Sequence, residues 1–431
     1  MTRLEALESR RHFTVTAAVV GTTMQVYGDA NDNTIWLTKV GTDLLVRAGQ
    51  GSSGGVLLFD VLRAPDSSIS AIKIWGSGGD DRISATKYVV DTLTVYGGTG
   101  SDTIQAGGGP SYLWGHTVVE ANGFMPADDD AADQLIGGWS NDVLRGQGGD
   151  DTLQTSPDAP LTWTGLDSLI GGNGDDLLLV NGSAGSVVDI RGGLGNDKFR
   201  ADYESRAQYV VFHGESGTDT VDYRFWEEGV FVTPDGLRYS GPVTGTRTHL
   251  IMADVETVVG TDYADRFSDG PGDNTYFCRG GADQANTGFP DDNTTEAGGD
   301  TYWGGAGNDS LYSGIGDDVV HGGIGRDMVY TSAGHDSVWG DDGDDFIQGG
   351  TGDDYIHGGA GADFLQGDTG SDIIDGRDGV AGNDRVIGSA LGIQPTDWDI
   401  AYADRQFVVV GNSVMIVRDA LEDMEEVHFG G

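Results

Sequence analysis

The sequence predicts an all-β solenoid, in which short strands coil around one narrow core. Three observations predict this fold: a nine-residue repeat, an excess of glycine, and an excess of aspartate over glutamate. The 431 residues include 73 glycines, more than twice the usual share of about 7%. Aspartate accounts for 57 of the 69 acidic residues, and short carboxylates are preferred in tight turns and around hard cations. We therefore expect many repeated turns that bind a ligand.

The repeat is regular over residues 304–375, which divide into eight consecutive units of nine residues. Every unit has glycine at its fourth position, aspartate at its sixth and an aliphatic residue at its eighth. Six residues of turn followed by three with one apolar side chain describe a short strand that buries only its middle residue. One unit cannot bury that residue alone, so successive units must stack. The sixth-position residues are Asp309, Asp318, Asp327, Asp336, Asp345, Asp354, Asp363 and Asp372.

These units match the pattern G-G-x-G-x-D-x-U-x, where U is a large aliphatic residue, and the segment resembles the calcium-binding β-roll of RTX, or haemolysin-type, proteins. The resemblance implies a parallel β-roll in which two units form one coil and calcium lies between turns two units apart. It implies six shared aspartate pairs: Asp309/Asp327, Asp318/Asp336, Asp327/Asp345, Asp336/Asp354, Asp345/Asp363 and Asp354/Asp372. Carbonyl groups of the turns would complete an all-oxygen shell. The implied turn residues are Gly305, Gly307, Gly314, Gly316, Gly323, Gly325, Gly334, Gly343, Gly350, Gly352, Gly359, Gly361 and Gly370.

The charge of this segment agrees with bound cations. Residues 304–375 contain 15 aspartates, no glutamate and one basic residue, Arg326, which gives a net charge of −14. About six calcium ions would bring about +12. Stacking the turns without cations would place carboxylates against each other at a large electrostatic cost. We therefore expect calcium binding to supply the folding free energy of this segment.

Some units depart from the pattern. Thr331 and Ser332 replace the first two glycines of the fourth unit, and Asp341 and Asp368 stand at second positions. Arg326 and His335 occupy fifth positions, beside the expected sites. These departures are expected to weaken individual sites without disturbing the register.

The same turn recurs in the longer N-terminal part without the nine-residue spacing. Most gaps from Asp81 onward are 21 to 25 residues, and the 40-residue gap between Asp102 and Asp142 is about two such periods. One aspartate turn per longer coil is the expected arrangement, and the pairing of ligands stays open. The equivalent aspartates are Asp32, Asp81, Asp102, Asp142, Asp151, Asp176, Asp197 and Asp219. Among them, the candidate calcium ligands are Asp102, Asp142, Asp151, Asp176 and Asp197.

We predict four segments along the chain. Residues 1–13 form a targeting-like or capping segment, 14–303 an irregular β-helix-like solenoid, 304–388 the regular β-roll, and 389–431 a C-terminal β cap. Residues 4–13 weakly resemble an L-E-x-R-x-L-L segment near the start of large extracellular planctomycete proteins. Two polar excursions, 120–133 and 286–299, are expected to project from the stack.

Composition excludes several classes of partner. A net charge of −45 repels phosphate backbones and anionic lipids, so nucleic-acid binding is not expected. No apolar run approaches the about 18 residues of a membrane-spanning helix. The one cysteine, Cys278, cannot form an internal disulfide.

H-E-x-x-H and the P-loop are missing from the sequence, and no catalytic site was identified. The leading hypothesis is an extracellular or cell-surface calcium-binding structural or adhesive protein that folds on binding calcium and can self-associate. Two alternatives remain open, a polysaccharide-active β-helical lyase or epimerase and a secretion or stability module of a larger protein. His321 and His357 are interpreted as surface residues. Outward aromatic residues could bind sugar rings, such as those of a cell-surface polysaccharide, or another copy, although strand propensity also explains them. They are Trp303, Tyr312, Tyr330, Trp339, Phe346, Tyr355 and Phe364.

Overall fold

The structure is a computed structural model of the chain. It describes residues 15–50, 58–116, 131–156, 166–180, 187–201, 209–232, 241–242, 248–251, 254–268, 272–286, 298–376, 385–387, 398–402, 408–409 and 414–417. These residues form two compact units, 1–219 and 220–431. The predicted capping segment 1–13 and nearly all of both predicted excursions lie outside the described residues.

The described part of the chain is all-β, apart from a 3-10 turn at Asp66–Ser68. The all-β prediction is therefore confirmed. The strands of the first unit are β1 Thr16–Val20, β2 Thr23–Tyr27, β3 Asn33–Val40, β4 Asp43–Gln50, β5 Phe59–Pro65, β6 Ala71–Gly78, β7 Arg82–Ala85, β8 Thr92–Thr99, β9 Thr103–Gln105, β10 Ser111–Trp114, β11 Gln134–Ile136, β12 Asp142–Gly148, β13 Thr152–Gln154, β14 Leu166–Asn173, β15 Leu177–Val180, β16 Val187–Leu194, β17 Lys198–Ala201 and β18 Tyr209–Ser216.

The second unit continues the numbering with shorter strands. They are β19 Thr220–Asp222, β20 Val230–Val232, β21 Gly241–Pro242, β22 Thr248–Ile251, β23 Thr257–Val259, β24 Arg266–Ser268, β25 Thr275–Phe277, β26 Gln284–Asn286, β27 Thr301–Ala306, β28 Ser310–Tyr312, β29 Val319–Ile324, β30 Met328–Tyr330, β31 Ser337–Asp342, β32 Phe346–Thr351, β33 Tyr355–Ala360, β34 Phe364–Thr369, β35 Ile373–Asp375, β36 Arg385–Ile387, β37 Trp398–Tyr402, β38 Val408–Val409 and β39 Val414–Val417.

Within the first unit the strands form two sheets, and the chain alternates between them. One sheet has the order β1-β2-β6-β8-β10-β12-β14-β16-β18, and the other begins β5-β4-β3-β7 and continues through β9, β11, β13, β15 and β17. Coil-to-coil pairings are parallel, but their register steps are unequal: Ala71 pairs with Thr92, Ser111 with Asp142, and Val143 with Ser168. The coils of this unit therefore differ in length.

The first unit does not begin as a parallel solenoid. Strand β1 pairs antiparallel with β2, and β3, β4 and β5 form an antiparallel meander. Both sheets therefore start with antiparallel strands that occupy their first edges, where open backbone groups would otherwise invite association. The sequence analysis did not predict this antiparallel start.

In the second unit, consecutive nonapeptide units alternate between two sheets. Strand β28 pairs in parallel with β30, so that Ser310 lies opposite Met328, and β29 pairs in the same way with β31. Two units therefore form one coil, as the resemblance implied. The same register step already separates β23 from β25 and β24 from β26, so the two-unit coil appears before residue 304. The boundaries at 304 and 388 stay predictions.

The core is a column of aliphatic side chains, one from each short strand. All eight residues at the eighth position of the repeat are fully buried, and each such burial contributes about 1.5–3 kcal/mol. In the first unit the same column contains larger residues, including Phe199 and Phe212. In the regular repeat the core is thus one side chain wide on each face, and each coil depends on its neighbours for burial. Longer strands of the first unit bury two apolar side chains, such as Ile72 and Ile74 of β6. The eight residues are Leu311, Val320, Val329, Val338, Ile347, Ile356, Leu365 and Ile374.

Candidate metal centre: an aspartate ladder

The aspartates at the sixth position of the repeat form two continuous rows in the second compact unit, one on each face. The backbone N–H of Asp309 donates to Oδ1 of Asp327 at 2.8 Å, and that of Asp327 donates to Oδ1 of Asp345 at 2.8 Å. On the other face, the N–H of Asp318 donates to Oδ1 of Asp336 at 2.9 Å. We call these rows the aspartate ladder. Each predicted pair is therefore joined by one hydrogen bond between neighbouring coils.

The second carboxylate oxygen of these residues points to a site that lacks a donor. Among the described residues, Oδ2 of Asp309, Asp327 and Asp345 is buried and has no hydrogen-bond partner. A buried acceptor without a donor is costly. The same condition holds at further rungs: Asp81, Asp151, Asp176, Asp197, Asp283, Asp318, Asp336 and Asp354.

A first-position glycine lines the space in front of many of these free oxygens, whereas Asp283, Asp318 and Asp336 have Cys278, Ser313 and Thr331 at that position. A Cβ built on Gly340 would lie 2.5 Å from Oδ2 of Asp345 and 2.3 Å from the carbonyl oxygen of Gly358, in the next coil. The same geometry recurs at Gly322, between Asp327 and the Gly340 carbonyl. A carboxylate and a carbonyl oxygen thus face one small space without a proton donor, which is the donor set of a hard cation such as calcium.

Burial raises the pKa of the ladder carboxyls. Desolvation is the main cause, neighbouring aspartates add repulsion, and the interstrand N–H donors act in the opposite direction. The pKa is raised to about 8 at Asp345, Asp283 and Asp151, and to about 7 at Asp318 and Asp354. Without a cation, these sites therefore favour protonated carboxyls.

The ladder extends well beyond the regular repeat. In the first unit it begins at Asn33, whose N–H donates to Oδ1 of Asp81. In the second unit Asp265, Asp283 and Asp300 join it before residue 304. Their sequence signal is an aspartate directly before a short apolar strand. The first-unit row runs Asp81, Asp102, Asp133, Asp151, Asp176, Asp197 and Asp219.

Two residues differ from their expected place. Asp133, assigned to an excursion by the sequence analysis, is a buried rung between Asp102 and Asp151. Asp142 does not lie in this row; it begins β12 in the other sheet, where its N–H donates to Oδ1 of Asp167. The wide gap after Asp102 therefore reflects one long coil, because the next rung, Asp133, lies 31 residues further along the chain. This rung was missed because the repeat there lacks its glycines.

Asp32 was also expected to be a rung, but the next residue, Asn33, takes that position. Asp32 lies outside the row, and its Oδ1 accepts the N–H of Asp80 at 3.1 Å, whereas Asn33 occupies the buried rung. An asparagine at this place carries no charge, so the first rung needs less cationic compensation.

The Asp133 rung has a histidine side chain beside its second carboxylate oxygen. His116 is buried, and its Nδ1 lies 3.1 Å from Oδ2 of Asp133. Gly115 lines the same rung, because a Cβ there would lie 2.1 Å from that oxygen. The imidazole thus occupies the direction in which a cation would be bound.

A second, exposed ladder runs beside the first. Its hydrogen bonds have the opposite direction, because the N–H of the following coil donates to a side chain of the preceding coil. Oδ1 of Asp344 accepts the N–H of Ala362 at 2.9 Å, so the fifth-position side chain bonds the following coil. His335 takes part, since its Nδ1 accepts the N–H of Asp353 at 2.9 Å. Arg326 offers no acceptor and interrupts this row. His335 therefore supports the stack, a role not expected from the sequence.

The turn glycines adopt conformations that other residues rarely take. At the fourth position Gly325 has φ +148°, and a Cβ on it would lie 1.5 Å from the carbonyl oxygen of Gly307. Second positions also have positive φ, including the non-glycine residues Ser332, Asp341 and Asp368. The departures from the repeat thus keep the turn conformation. The predicted second- and fourth-position ligands all lie in these turns beside the ladder, and their part in binding stays a prediction.

The described residues contain no cluster of three or more His, Cys, Asp or Glu side chains that could hold a metal ion. A cation at the ladder would therefore depend on backbone carbonyls as much as on carboxylates. This composition is typical of calcium, which accepts carbonyl ligands readily.

The outward aromatic residues stack on one another along the coil direction. Trp303, His321 and Trp339 form one column, with centroid distances of 4.0 and 4.6 Å and interplanar angles of 5° and 8°. Trp339 separates His321 from His357 in the strand register, so these two histidines do not meet. Because the inner ring faces are covered, this column offers mainly ring edges to a ligand.

One comparison with known proteins found a match. A family model described as the RTX calcium-binding nonapeptide repeat, in four copies, matches residues 94–117, 128–153, 252–285, 294–329, 321–356, 330–365, 348–380 and 357–390. The matched segments include the rungs at Asp133, Asp265 and Asp283 as well as the regular repeat. No curated protein matches the chain. No helix in the described residues has the length and apolar character needed to span a membrane.

Proposed function

Because the chain carries RTX calcium-binding nonapeptide repeats, we propose that it is an extracellular or cell-surface structural protein whose solenoid folds on binding calcium. The observation that carries the proposal is the row of buried Oδ2 atoms without donors, several of which, as at Asp327 and Asp345, share a small space with a glycine carbonyl oxygen. Calcium at these places would satisfy both oxygens at once.

The proposed ligands follow from this geometry. In the regular repeat the ladder aspartates and the turn carbonyls of neighbouring coils would hold about six ions, one for each predicted pair. Upstream, Asp151, Asp176 and Asp197 have the same free oxygen and the same first-position glycines, Gly146, Gly171 and Gly192. We propose that these rungs also bind calcium. Asp142 lies outside the row, and we propose no ion at the ladder through it.

Calcium would thereby control folding. Each coil contributes little core of its own, and its buried carboxylates repel one another until a cation or proton lies between them. A secreted protein meets far more calcium outside the cell than inside it, so the chain would stay loose before export and fold afterwards. An adhesive role and self-association through exposed outward residues, such as Trp303 and Ile324, belong to the same proposal.

The test compares two adjacent substitutions of equal charge. Asp345→Asn keeps the Oδ1 acceptor for Asp327 but replaces the free oxygen with an amide group. Asp344→Asn changes the same charge at an exposed position and keeps its acceptor for Ala362. Calcium titration of decalcified protein, followed by circular dichroism and calorimetry, is the measurement.

We expect wild type and Asp344→Asn to fold over the same calcium range and Asp345→Asn to need more calcium and to bind two fewer ions. If all three proteins fold over the same calcium range, the proposal is contradicted. Self-association is tested separately by measuring particle size with and without calcium. A protein that stays monomeric at all calcium concentrations would contradict the self-association but not the calcium-dependent folding.

A further inference from the structure

A groove of about 660 Å³ lies on the outer face of the first unit, away from the aspartate ladder. Trp36 and Trp139 line it together with Lys87 and small residues. Its size falls within the range of small-molecule sites. Its remaining lining residues are Ser84, Ala85, Thr86, Gln105, Ala106, Gly107, Gly137, Gly138 and Ser156.

Consecutive coils build the floor of this groove. Trp36 pairs with Ser84 in the strand register, Ser84 pairs with Gln105, and Gln105 pairs with Ile136. Because neighbouring coils are about 4.8 Å apart, the groove extends over about 14 Å from the coil of Trp36 to the coil that precedes Trp139. The small Ser84 beside the indole of Trp36 leaves room above the sheet.

Turns after the strands form its side. The N–H of Thr86 donates to the carbonyl of Leu37 at 3.0 Å, and the N–H of Trp139 donates to the carbonyl of Gly107 at 3.1 Å. These bonds fix the turns that carry Lys87 and Trp139. The groove is therefore a formed feature of four adjacent coils rather than a gap between loose loops.

The charge of the groove is opposite to that of the chain. No carboxylate belongs to its described lining residues, although the chain carries 69 acidic residues and a net charge of −45. The Lys87 ammonium lies 4.9 Å from the ring centroid of Trp139 and 5.7 Å from that of Tyr88. Within the described residues Lys87 has aromatic contacts but no ion pair, so its charge is available to an anion.

We propose that this groove binds an acidic oligosaccharide, a short chain of pyranose rings that carries carboxylates. The C–H faces of pyranose rings pack against indoles, and hydroxyl groups can bond to Ser84 and Gln105. Lys87 would pair with a uronate carboxylate. A long nucleic acid would meet stronger repulsion from the acidic chain than a short uronate oligomer, because it carries many more charges.

This binding goes beyond calcium-dependent folding and uses none of the ladder residues. The groove also differs from the stacked aromatic column at Trp303, His321 and Trp339, whose inner ring faces are covered. Trp36 and Trp139 lie at opposite ends of a cleft instead of against each other. Substitutions in the groove can therefore be separated from substitutions in the ladder.

The test uses calcium-loaded protein at a fixed free calcium concentration and two probes, tetragalacturonate and the neutral maltotetraose. Binding is measured by calorimetry, with tryptophan fluorescence as a second readout. Variants are Lys87→Gln, Trp139→Ala and the conservative Trp139→Phe. Controls are Lys198→Gln, in β17, and Trp303→Ala, in β27. Circular dichroism in a calcium titration first shows that each variant still folds.

We expect wild type to bind one tetragalacturonate and to prefer it to maltotetraose. Lys87→Gln should lower the affinity for tetragalacturonate about tenfold, because one charge-assisted bond is lost. The affinity for maltotetraose should not change. Trp139→Ala should weaken both sugars, Trp139→Phe should retain part of the affinity, and the controls should bind as wild type does.

Three results would overturn the proposal: no binding of tetragalacturonate, equal affinity of wild type for both sugars, or full affinity in Lys87→Gln and Trp139→Ala. Because folding is measured separately, loss of calcium-dependent folding contradicts the calcium proposal, whereas loss of sugar binding in a folded protein contradicts this one.

Discussion

The backbone N–H of Asp327 donates to Oδ1 of Asp345 at 2.8 Å, whereas Oδ2 of Asp345 meets no donor within the described residues. The Asp345 carboxylate therefore joins two coils through Oδ1 and leaves Oδ2 to bind something else. A proton and a cation are the two species that can satisfy this oxygen. The pH and calcium dependence of folding should therefore be linked.

The first prediction concerns pH without calcium. The pKa is raised by burial to about 8 at Asp345 and about 7 at Asp354, so the folded state binds protons more tightly than the unfolded chain. This stabilising contribution is complete below about pH 4 and is lost as the pH rises through 7 and 8. Decalcified protein should be more folded at pH 5 than at pH 8 by far-UV circular dichroism.

Calcium should reverse this preference, because a bound cation requires the deprotonated carboxylates. Calcium affinity is therefore expected to fall as the pH decreases from 8 to 6, and calorimetry in buffers of different ionisation enthalpy should detect released protons. Decalcified protein that is equally unfolded at pH 5 and pH 8 would contradict the proton-binding role of the ladder.

The second prediction concerns the fourth-position glycines. A Cβ at Gly325 would lie 1.5 Å from the Gly307 carbonyl oxygen, and its φ is +148°. Gly325→Ala should separate two coils and destabilise the calcium-bound protein by more than the about 1–2 kcal/mol of an unfavourable φ alone. Denaturation in saturating calcium measures the change.

Gly41 provides the matched control. It has φ +65° and open space around a built Cβ, so Gly41→Ala should cost about 1 kcal/mol from conformation alone. A similar loss of stability in both variants would show that the close contact between coils at Gly325 does not add to the conformational cost.

The third prediction concerns His335. Its Nδ1 accepts the Asp353 N–H at 2.9 Å, so His335→Asn, which can supply an acceptor, should be tolerated. His335→Leu removes the acceptor and should lower the free energy of unfolding by about 1 kcal/mol. The comparison should be made at pH 8, and equal stability of both variants would exclude a role for this bond.

The fourth prediction concerns His116. Its imidazole occupies the space before Oδ2 of Asp133, so this rung should bind no calcium in the wild type. His116→Gly clears that space and should raise the calcium stoichiometry by one, measured by calorimetry. An unchanged stoichiometry in a folded variant would mean that His116 does not replace a cation. His321→Gly, a change on the outer face, should leave the number of ions unaltered.

The regular repeat was predictable from sequence because three of its nine positions carry fixed chemistry. Glycine at the fourth position is needed for positive φ, aspartate at the sixth for the ladder, and an aliphatic residue at the eighth for the core. The eight buried core residues follow from this periodicity. The two-unit coil and the six aspartate pairs were implied by the resemblance to RTX repeats rather than by the periodicity alone.

The first unit was less predictable because its coils differ in length. An unequal step hides which aspartates share a row, and Asp142 has the same local pattern as a rung although it lies in the other sheet. Asp133 carries few local signs, since its place depends on pairing with Asp102 and Asp151. The antiparallel start depends on long-range strand pairing, which periodicity does not report.

The variable coil length also has a practical consequence. Steps of 18, 21, 25 and 31 residues all return to the same aspartate row. Additional residues can thus leave at a corner and rejoin without shifting the strands above or below. The solenoid therefore offers attachment points for foreign peptide loops, so that a chosen epitope could be displayed at a defined height on a calcium-controlled support.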